Sequence, residues 1–113
     1  MALKITGFLF TGPIDIEKCN VRKNQTAAVY AIVSKEDPPW DPRFRLIAVG
    51  ETGANGMIFA DHPERAQWAR QSGGRAAVYL CSVGEKDGGA LRRRDIVRHI
   101  LDQYTPPDAI ILG

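Results

Sequence analysis

Residues 27–52 have the sequence AAVYAIVSKEDPPWDPRFRLIAVGET, in which two apolar segments flank a polar, proline-rich segment. The apolar segments, residues 27–34 and 44–50, are short, rich in β-branched side chains and bounded by breakers, as buried strands are. The three prolines between them have no N–H to donate to a neighbouring strand, so they exclude one continuous strand. The stretch therefore predicts an antiparallel hairpin with a long, solvated connection.

Two helices and a third strand follow this hairpin. The first helix is predicted from Asp61, which can cap its start, to about Gln71, before a pair of glycines. Residues 75–83 predict the third strand. Residues 90–104 predict the second helix, because four of its apolar residues recur at the spacing of one helical face: Val97, Ile100, Leu101 and Tyr104. The predicted fold is α+β, with helices packed on a small, three-stranded, mostly antiparallel sheet.

The length of 113 residues is the usual size of one domain. Residues 1–26 are predicted to be an N-terminal extension packed on that domain, with an edge strand in residues 3–10 and a turn at residues 11–13. Residues 27–107 form the predicted domain. Residues 108–113 form an apolar tail, for which an edge strand and a contact surface are both open interpretations.

The composition is that of an ordinary soluble domain, with 44% hydrophobic and 25% charged residues. A net charge of +2 by itself predicts neither a nucleic-acid nor a membrane partner. No apolar run approaches the roughly 20 residues of a membrane span, and the N-terminus does not resemble a signal peptide. Two cysteines are too few for a disulfide framework. We therefore expect a cytoplasmic protein without a membrane partner.

Several short motifs resemble those of the GIY-YIG nuclease superfamily, in the order and spacing of that family. Residues 29–32, Val-Tyr-Ala-Ile, stand where the family has its first motif, and residues 48–52, Ala-Val-Gly-Glu-Thr, stand at the second. His62 and Trp68 resemble residues of the family's first helix, and residues 93–107 resemble its last helix. The resemblance covers residues 27–107 and implies the GIY-YIG-like form of the predicted α+β fold.

The departures from the family pattern bear on activity. In the family a glutamate of the last helix holds a divalent metal ion, but the matching residue here is Val97. The family's basic residue is matched by Ile58 and its second-motif tyrosine by Ala48. Of the family's catalytic set only Tyr30 and His62 remain, as vestigial candidates. The three apolar replacements suggest an active site filled in as core.

The resemblance and these departures lead to three functional hypotheses. The first is a module that has lost metal-dependent endonuclease activity and still binds DNA or RNA, through Arg65, Arg70, Arg92, Arg93 and Arg94. The second is a protein-interaction or self-association module on the same fold, which uses Trp40 and the apolar tail. The third is an active, divalent-metal-dependent endonuclease. No cofactor is expected under the first two hypotheses.

The third hypothesis needs a rebuilt site, in which Glu51 is the stand-in ligand for Mg²⁺ and Arg65 takes the place of the family's basic residue. Each candidate also has a purely structural interpretation. For Tyr30 this interpretation is a half-buried strand tyrosine, and for His62 it is a solvated or capping residue at a helix start. Trp40 either is an exposed contact anchor or folds back on its own domain. Three arginines near a helix start oppose the helix dipole slightly, which hints at an acidic partner.

Overall fold

The computed structural model describes residues 2–22 and 25–111, and within these ranges the chain forms eight strands and two α-helices. The strands are β1 Ala2–Ile5, β2 Phe8–Ile14, β3 Asn20–Val21, β4 Ala28–Glu36, β5 Arg43–Glu51, β6 Met57–Ile58, β7 Ala76–Ser82 and β8 Ala109–Ile110. The helices are α1 Arg65–Ser72 and α2 Gly89–Gln103. Neither of these helices is long and apolar enough to cross a membrane.

The predicted hairpin is confirmed. β4 and β5 pair antiparallel from Val29 opposite Glu51 to Glu36 opposite Arg43, with one register shift after Ile32. The predicted third strand is β7, which pairs antiparallel with the other side of β4. Residues 37–42, which hold the three prolines, connect the two strands of the hairpin as predicted.

The sheet is larger than the three strands predicted. Six antiparallel strands lie in the order β1-β2-β7-β4-β5-β8, and β3 and β6 form a separate two-stranded ribbon. The N-terminal residues make a hairpin around Thr6 and Gly7, which both have positive φ. Residues 11–13, for which a turn was predicted, are instead part of β2. Pro13 is accommodated there because the pairing of β2 with β7 shifts register between Thr11 and Ile14.

The six-stranded sheet has an apolar core on each face. Alternate residues of β4 point to opposite sides, so Val29, Ala31 and Val33 enter one core and Tyr30 and Ile32 enter the other. Helix α2 covers the first side, called the α2 face below. Helix α1 and the 3-10 turn Phe59–Asp61 cover the second side, called the α1 face. Along β4, odd-numbered residues from 29 to 33 therefore pack towards α2, and even-numbered residues pack towards α1.

The buried side of α2 differs from the predicted one. The helix buries Arg93, Ile96 and Ile100, while Leu101 is 49% exposed and Val97 lies partly buried at the edge of the core. The helical periodicity is confirmed, but the buried face is rotated away from Leu101 and towards Arg93, a charged residue that does not belong to the apolar pattern.

The N-terminal and C-terminal segments both belong to the sheet. Ile5 and Phe10, from the N-terminal hairpin, are fully buried in the α2-face core. β8 pairs with β5, and the Ile111 N–H donates to the Phe44 carbonyl at 2.7 Å. The edge-strand interpretation of the apolar tail is therefore confirmed for residues 109–110, whereas Leu112 lies outside the described residues.

Candidate functional site

An aromatic cluster on the α1 face holds the two vestigial candidates. The Tyr30 ring packs edge-on against Phe59 and His62, with centroid distances of 5.2 and 6.2 Å. Trp68 lies 6.1 Å from Tyr30 and 4.4 Å from His62. Strand β4 supplies the tyrosine, the 3-10 turn positions the histidine just after it, and α1 supplies the tryptophan. The structure thus brings Tyr30 and His62 together.

The hydrogen bond of His62 fixes which ring nitrogen is available. Its Nδ1 accepts the backbone N–H of Glu64 at 3.0 Å, which requires Nδ1 to be unprotonated. The proton of the neutral ring therefore lies on Nε2, so this nitrogen is the one that can donate to a ligand.

Tyr30 crosses directly over the backbone of Gly50, its partner in the adjacent strand. A Cβ at residue 50 would lie 2.5 Å from the Tyr30 hydroxyl oxygen. Burial, followed by the charges of Glu64 and Glu51, raises the pKa of the Tyr30 hydroxyl above its usual value of 10.0. The phenol therefore stays protonated at neutral pH and can donate a hydrogen bond, but it is a poor base.

The positions matched to lost family residues do not share one place. Ala48 packs on the α1-face core beside Tyr30, and Ile58 is exposed in β6. Val97 packs against the α2-face core, on the other side of the sheet. The sequence suggested that these three apolar residues fill one former active site. That expectation is wrong, because they do not share a pocket.

Glu51 and Arg93 form an ion pair that joins the hairpin to α2, in which the arginine is buried and the glutamate is partly exposed. The Arg93 Nε donates to Glu51 Oε1 at 2.7 Å, and its Nη1 donates to the Val83 carbonyl at 2.8 Å. The same Oε1 accepts the Gly53 N–H at 3.0 Å. The Arg93 side chain is 1% exposed, so it is not at the surface where nucleic-acid contact was expected. Glu51 is already occupied by a cation, an arrangement that does not fit the stand-in Mg²⁺ ligand.

The other four predicted nucleic-acid contacts lie on opposite sides of the sheet. Arg65 and Arg70 are on α1, where Arg65 pairs with Glu17. Arg92 and Arg94 are on α2, where Arg92 pairs with Asp95 at 3.2 Å and lies over the Phe8 ring at 5.3 Å. The five predicted arginines therefore form no common basic surface.

The outer side of α2 has a shallow, open depression of about 590 Å³ on the surface of this one helix. It is called the α2 cleft below and is lined by Leu91, Arg92, Arg94, Asp95 and Arg98. Asp95 accepts hydrogen bonds from Arg92 and Arg98, and the Arg98 bond is the main cause that holds the Asp95 pKa below its usual value. The Arg94 side chain is exposed and makes no hydrogen bond or ion pair within the part of the chain that the structure describes. The cleft is basic overall.

Leu91, Asp95 and Arg98 were not among the predicted site residues. Leu91 is 78% exposed, although it stands in an amphipathic helix where a leucine is expected to be buried. Its position two residues before Arg93, about 200° around the helix, is the signal that could have placed it outside, once Arg93 is taken as buried.

The connection between β4 and β5, residues 37–42, is called the Trp40 loop. Trp40 is 85% exposed, the highest value among the large apolar side chains of the described ranges. The Asp41 N–H donates to the Pro38 carbonyl at 3.1 Å, which closes a turn around the tryptophan. Trp40 therefore does not fold back on its own domain, which was one of the two interpretations left open.

Among residues 2–22 and 25–111, no group of three or more His, Cys, Asp or Glu side chains is placed to hold a metal ion. Comparison with protein-family models, with curated proteins and with solved structures found no match to this chain.

Proposed function

We propose that this chain is a protein-interaction module whose contact anchor is Trp40. The observation that carries the proposal is the 85% exposure of a tryptophan at the tip of a loop built from prolines and a hydrogen-bonded turn. Exposed aromatic side chains of this kind are the residues that most often dominate binding energy at protein interfaces.

The loop is held at its base as well as at its tip. Glu36, the last residue of β4, pairs with Arg45 at 2.5 Å and with Arg75 at 2.8 Å. These contacts tie the start of the loop to β5 and to the segment before β7. A loop that is already ordered loses little conformational entropy on binding, so more of the contact energy remains as affinity.

The size of the expected effect follows from the area of the indole. A tryptophan buries about 150–250 Å², which at about 25 cal/mol per Å² gives roughly 4–6 kcal/mol of transfer free energy. Part of this is offset by ordering and desolvation at the interface. We therefore expect Trp40→Ala to weaken partner binding by at least about 2 kcal/mol, or roughly 30-fold.

The test is a photo-crosslinking amino acid at residue 40, with the same amino acid at Leu9 as the matched control. Leu9 is also an exposed apolar residue, but it lies in β2, away from the Trp40 loop. We expect residue 40 to crosslink a protein that residue 9 does not crosslink. Once purified, that protein is expected to bind the wild-type chain and to bind the Trp40→Ala variant about 30-fold more weakly. The proposal is wrong if residue 40 gives no crosslink beyond the control, or if Trp40→Ala binds the captured protein unchanged.

Nucleic-acid binding is the second candidate function, favoured by one observation. The α2 cleft places Arg92, Arg94 and Arg98 together, and Arg94 carries an exposed charge unpaired by any described side chain. The resemblance to the GIY-YIG superfamily supports this function by analogy. Two or three phosphate contacts predict binding whose logarithmic salt slope is about −2 to −3, falling by about one for Arg94→Gln.

The corresponding measurement is a fluorescence titration with short single- and double-stranded DNA and RNA, with and without Mg²⁺, at two salt concentrations. Salt-sensitive binding that Arg94→Gln weakens and Arg70→Gln does not would support the second candidate. Absence of binding to all four would remove it. Mg²⁺-dependent cleavage in the same samples would instead support an active nuclease, in which Glu51 must leave Arg93 to reach a metal ion.

A further inference from the structure

We propose that the partner of the Trp40 loop is a second copy of this chain, whose α2 cleft receives the loop. This inference rests on the proposed function and names its partner. The two surfaces on the same chain are complementary in charge, in apolar surface and in hydrogen-bonding groups.

The charges of the two surfaces are opposite. The Trp40 loop has an exposed acid on either side of the tryptophan. Asp37 pairs with Arg75 at 3.8 Å, whereas Asp41 has no ion pair with any described side chain. The α2 cleft presents Arg92, Arg94 and Arg98 against one acid, Asp95. An acidic loop that approaches this cleft gains favourable ion pairs, with the uncompensated Arg94 as the first partner.

The cleft also provides what an indole ring needs. Leu91 is 78% exposed at its rim and offers an apolar surface to the ring. The neighbouring guanidinium groups can lie over the aromatic face, a contact that arginine makes often. The Asp95 carboxylate is an acceptor for the indole N–H, which otherwise loses its water on burial.

The loop of one chain leaves the sheet at the end away from the anchored start of α2, which carries the cleft. The loop begins after Glu36 at one end of β4, whereas α2 is attached near the other end, through Arg93 to Glu51 and Val83. The nine residues of β4 span about 30 Å at roughly 3.3 Å per residue. The contact is therefore made between copies, each of which has one loop and one cleft.

The test uses the fact that a single variant removes only one of the two surfaces. Trp40→Ala keeps the cleft, and Arg94→Glu with Arg98→Glu keeps the loop. Sedimentation velocity at concentrations on the order of 100 µM is expected to show wild-type dimers or larger species and each variant alone as a monomer. An equimolar mixture of the two variants is expected to form a heterodimer, because one intact loop then meets one intact cleft.

A charge exchange provides a second, independent readout. Asp41→Lys alone and Arg94→Glu alone are each expected to weaken self-association about tenfold, and the double variant is expected to recover most of that loss. Circular dichroism of each variant establishes that it is folded before it is compared.

The outcomes separate this inference from the proposed function. A wild-type monomer at the highest concentration, or a variant mixture that stays monomeric, overturns the self-docking proposal. If residue 40 then still crosslinks to a different protein with Trp40-dependent affinity, the proposed function stands without it. If neither self-association nor a foreign crosslink is found, both proposals are overturned.

Discussion

Gly50 is the residue at which the hairpin and the aromatic cluster constrain each other most closely. We predict that Gly50→Ala destabilises the fold by about 1–3 kcal/mol, because the added methyl group would meet the Tyr30 hydroxyl at 2.5 Å and ring carbons at 2.7 and 2.9 Å. Urea unfolding measures the loss. In a Tyr30→Ala background the ring is gone, so the same Gly50→Ala change is expected to cost much less. Equal costs in both backgrounds would show that the ring is not what excludes a side chain at residue 50.

Arg93 and Arg94 are adjacent in sequence and opposite in environment. Arg93→Met removes the buried member of the pair with Glu51 and the donor to the buried Val83 carbonyl, so we predict that it lowers the free energy of unfolding by about 2–4 kcal/mol. Arg94→Met, one residue further along the exposed side of the same helix, is expected to change it by no more than about 0.5 kcal/mol.

The Arg93→Lys variant separates the contribution of the charge from that of the guanidinium geometry. It keeps the charge but lacks the planar fork with which Arg93 reaches both Glu51 and the Val83 carbonyl. We expect Arg93→Lys to fall between the wild type and Arg93→Met in urea unfolding. A cost for Arg93→Met as small as that for Arg94→Met would contradict a structural role for the buried arginine.

At the scale of elements, Arg45 and Glu36 fasten the base of the Trp40 loop to other parts of the chain. Arg45 donates to the Gln71 carbonyl of α1 at 2.7 Å and to the Pro107 carbonyl at 3.0 Å, while its Nε pairs with Glu36. The Arg45 hydrogen bond is the largest cause that lowers the Glu36 pKa below its ordinary value of 4.5.

This lowered pKa gives a pH-dependent prediction with a definite sign. The folded state holds Glu36 ionised more strongly than the unfolded state does, so the stabilisation is fully present above the ordinary value of 4.5 and is lost as the pH falls through the lower folded pKa. We expect Glu36→Gln to be less stable than the wild type at neutral pH, with a difference that shrinks below pH 4.5. Thermal unfolding across the acid range measures it. Asp41→Asn, which removes an exposed acid of the same loop, is the control.

The elements that the sequence predicted are those with strong local signals. The hairpin, β7 and the existence of both helices follow from apolar patterns, proline breaks and glycine stops, each of which acts within a few residues. The predicted cap at Asp61 is wrong, because Asp61 lies in the 3-10 turn and α1 begins at Arg65 without a side-chain cap. The β3–β6 ribbon has two residues in each strand and therefore no periodicity to detect. The pairing of β2 with β7 joins Thr11 to Leu80 across most of the chain, and no local pattern specifies such a contact.

The candidate site was less predictable than the fold, because exposure depends on tertiary packing. The resemblance grouped Tyr30 and His62 as remnants of one catalytic set, and their rings lie 6.2 Å apart. The run Arg92-Arg93-Arg94 carries the same charge at each residue, yet the helical phase buries its middle member and exposes its neighbours. Composition alone cannot distinguish the three arginines. Arg93, however, lies three residues before Ile96 and seven before Ile100, which places it on the same face of the helix as these two buried residues.

At the scale of the whole molecule, the N-terminal hairpin is part of the sheet and of its core. We predict that a chain beginning at Asp15 loses cooperative unfolding. The deletion removes Ile5 and Phe10 from the α2-face core, and a single truncation of such a side chain typically costs about 2–5 kcal/mol. It also leaves the backbone of β7 unpaired along one side. Together these losses approach the roughly 5–15 kcal/mol that stabilises a domain.

The measurement is urea unfolding followed by tryptophan fluorescence, since Trp68 is buried on the opposite face and reports on the remaining fold. The matched control is a full-length Leu9→Ala variant, which changes an exposed residue of the same hairpin. That variant is expected to unfold cooperatively with little change in midpoint, because its side chain contributes little to either core.

A cooperative transition in the chain that begins at Asp15 would contradict this prediction. It would mean that residues 15–111 form a complete core by themselves, and that β1 and β2 only cover the edge of β7. The full burial of Ile5 and Phe10 argues against that outcome. Both side chains belong to the α2-face core, so their deletion removes part of that core as well as the cover over the edge of β7.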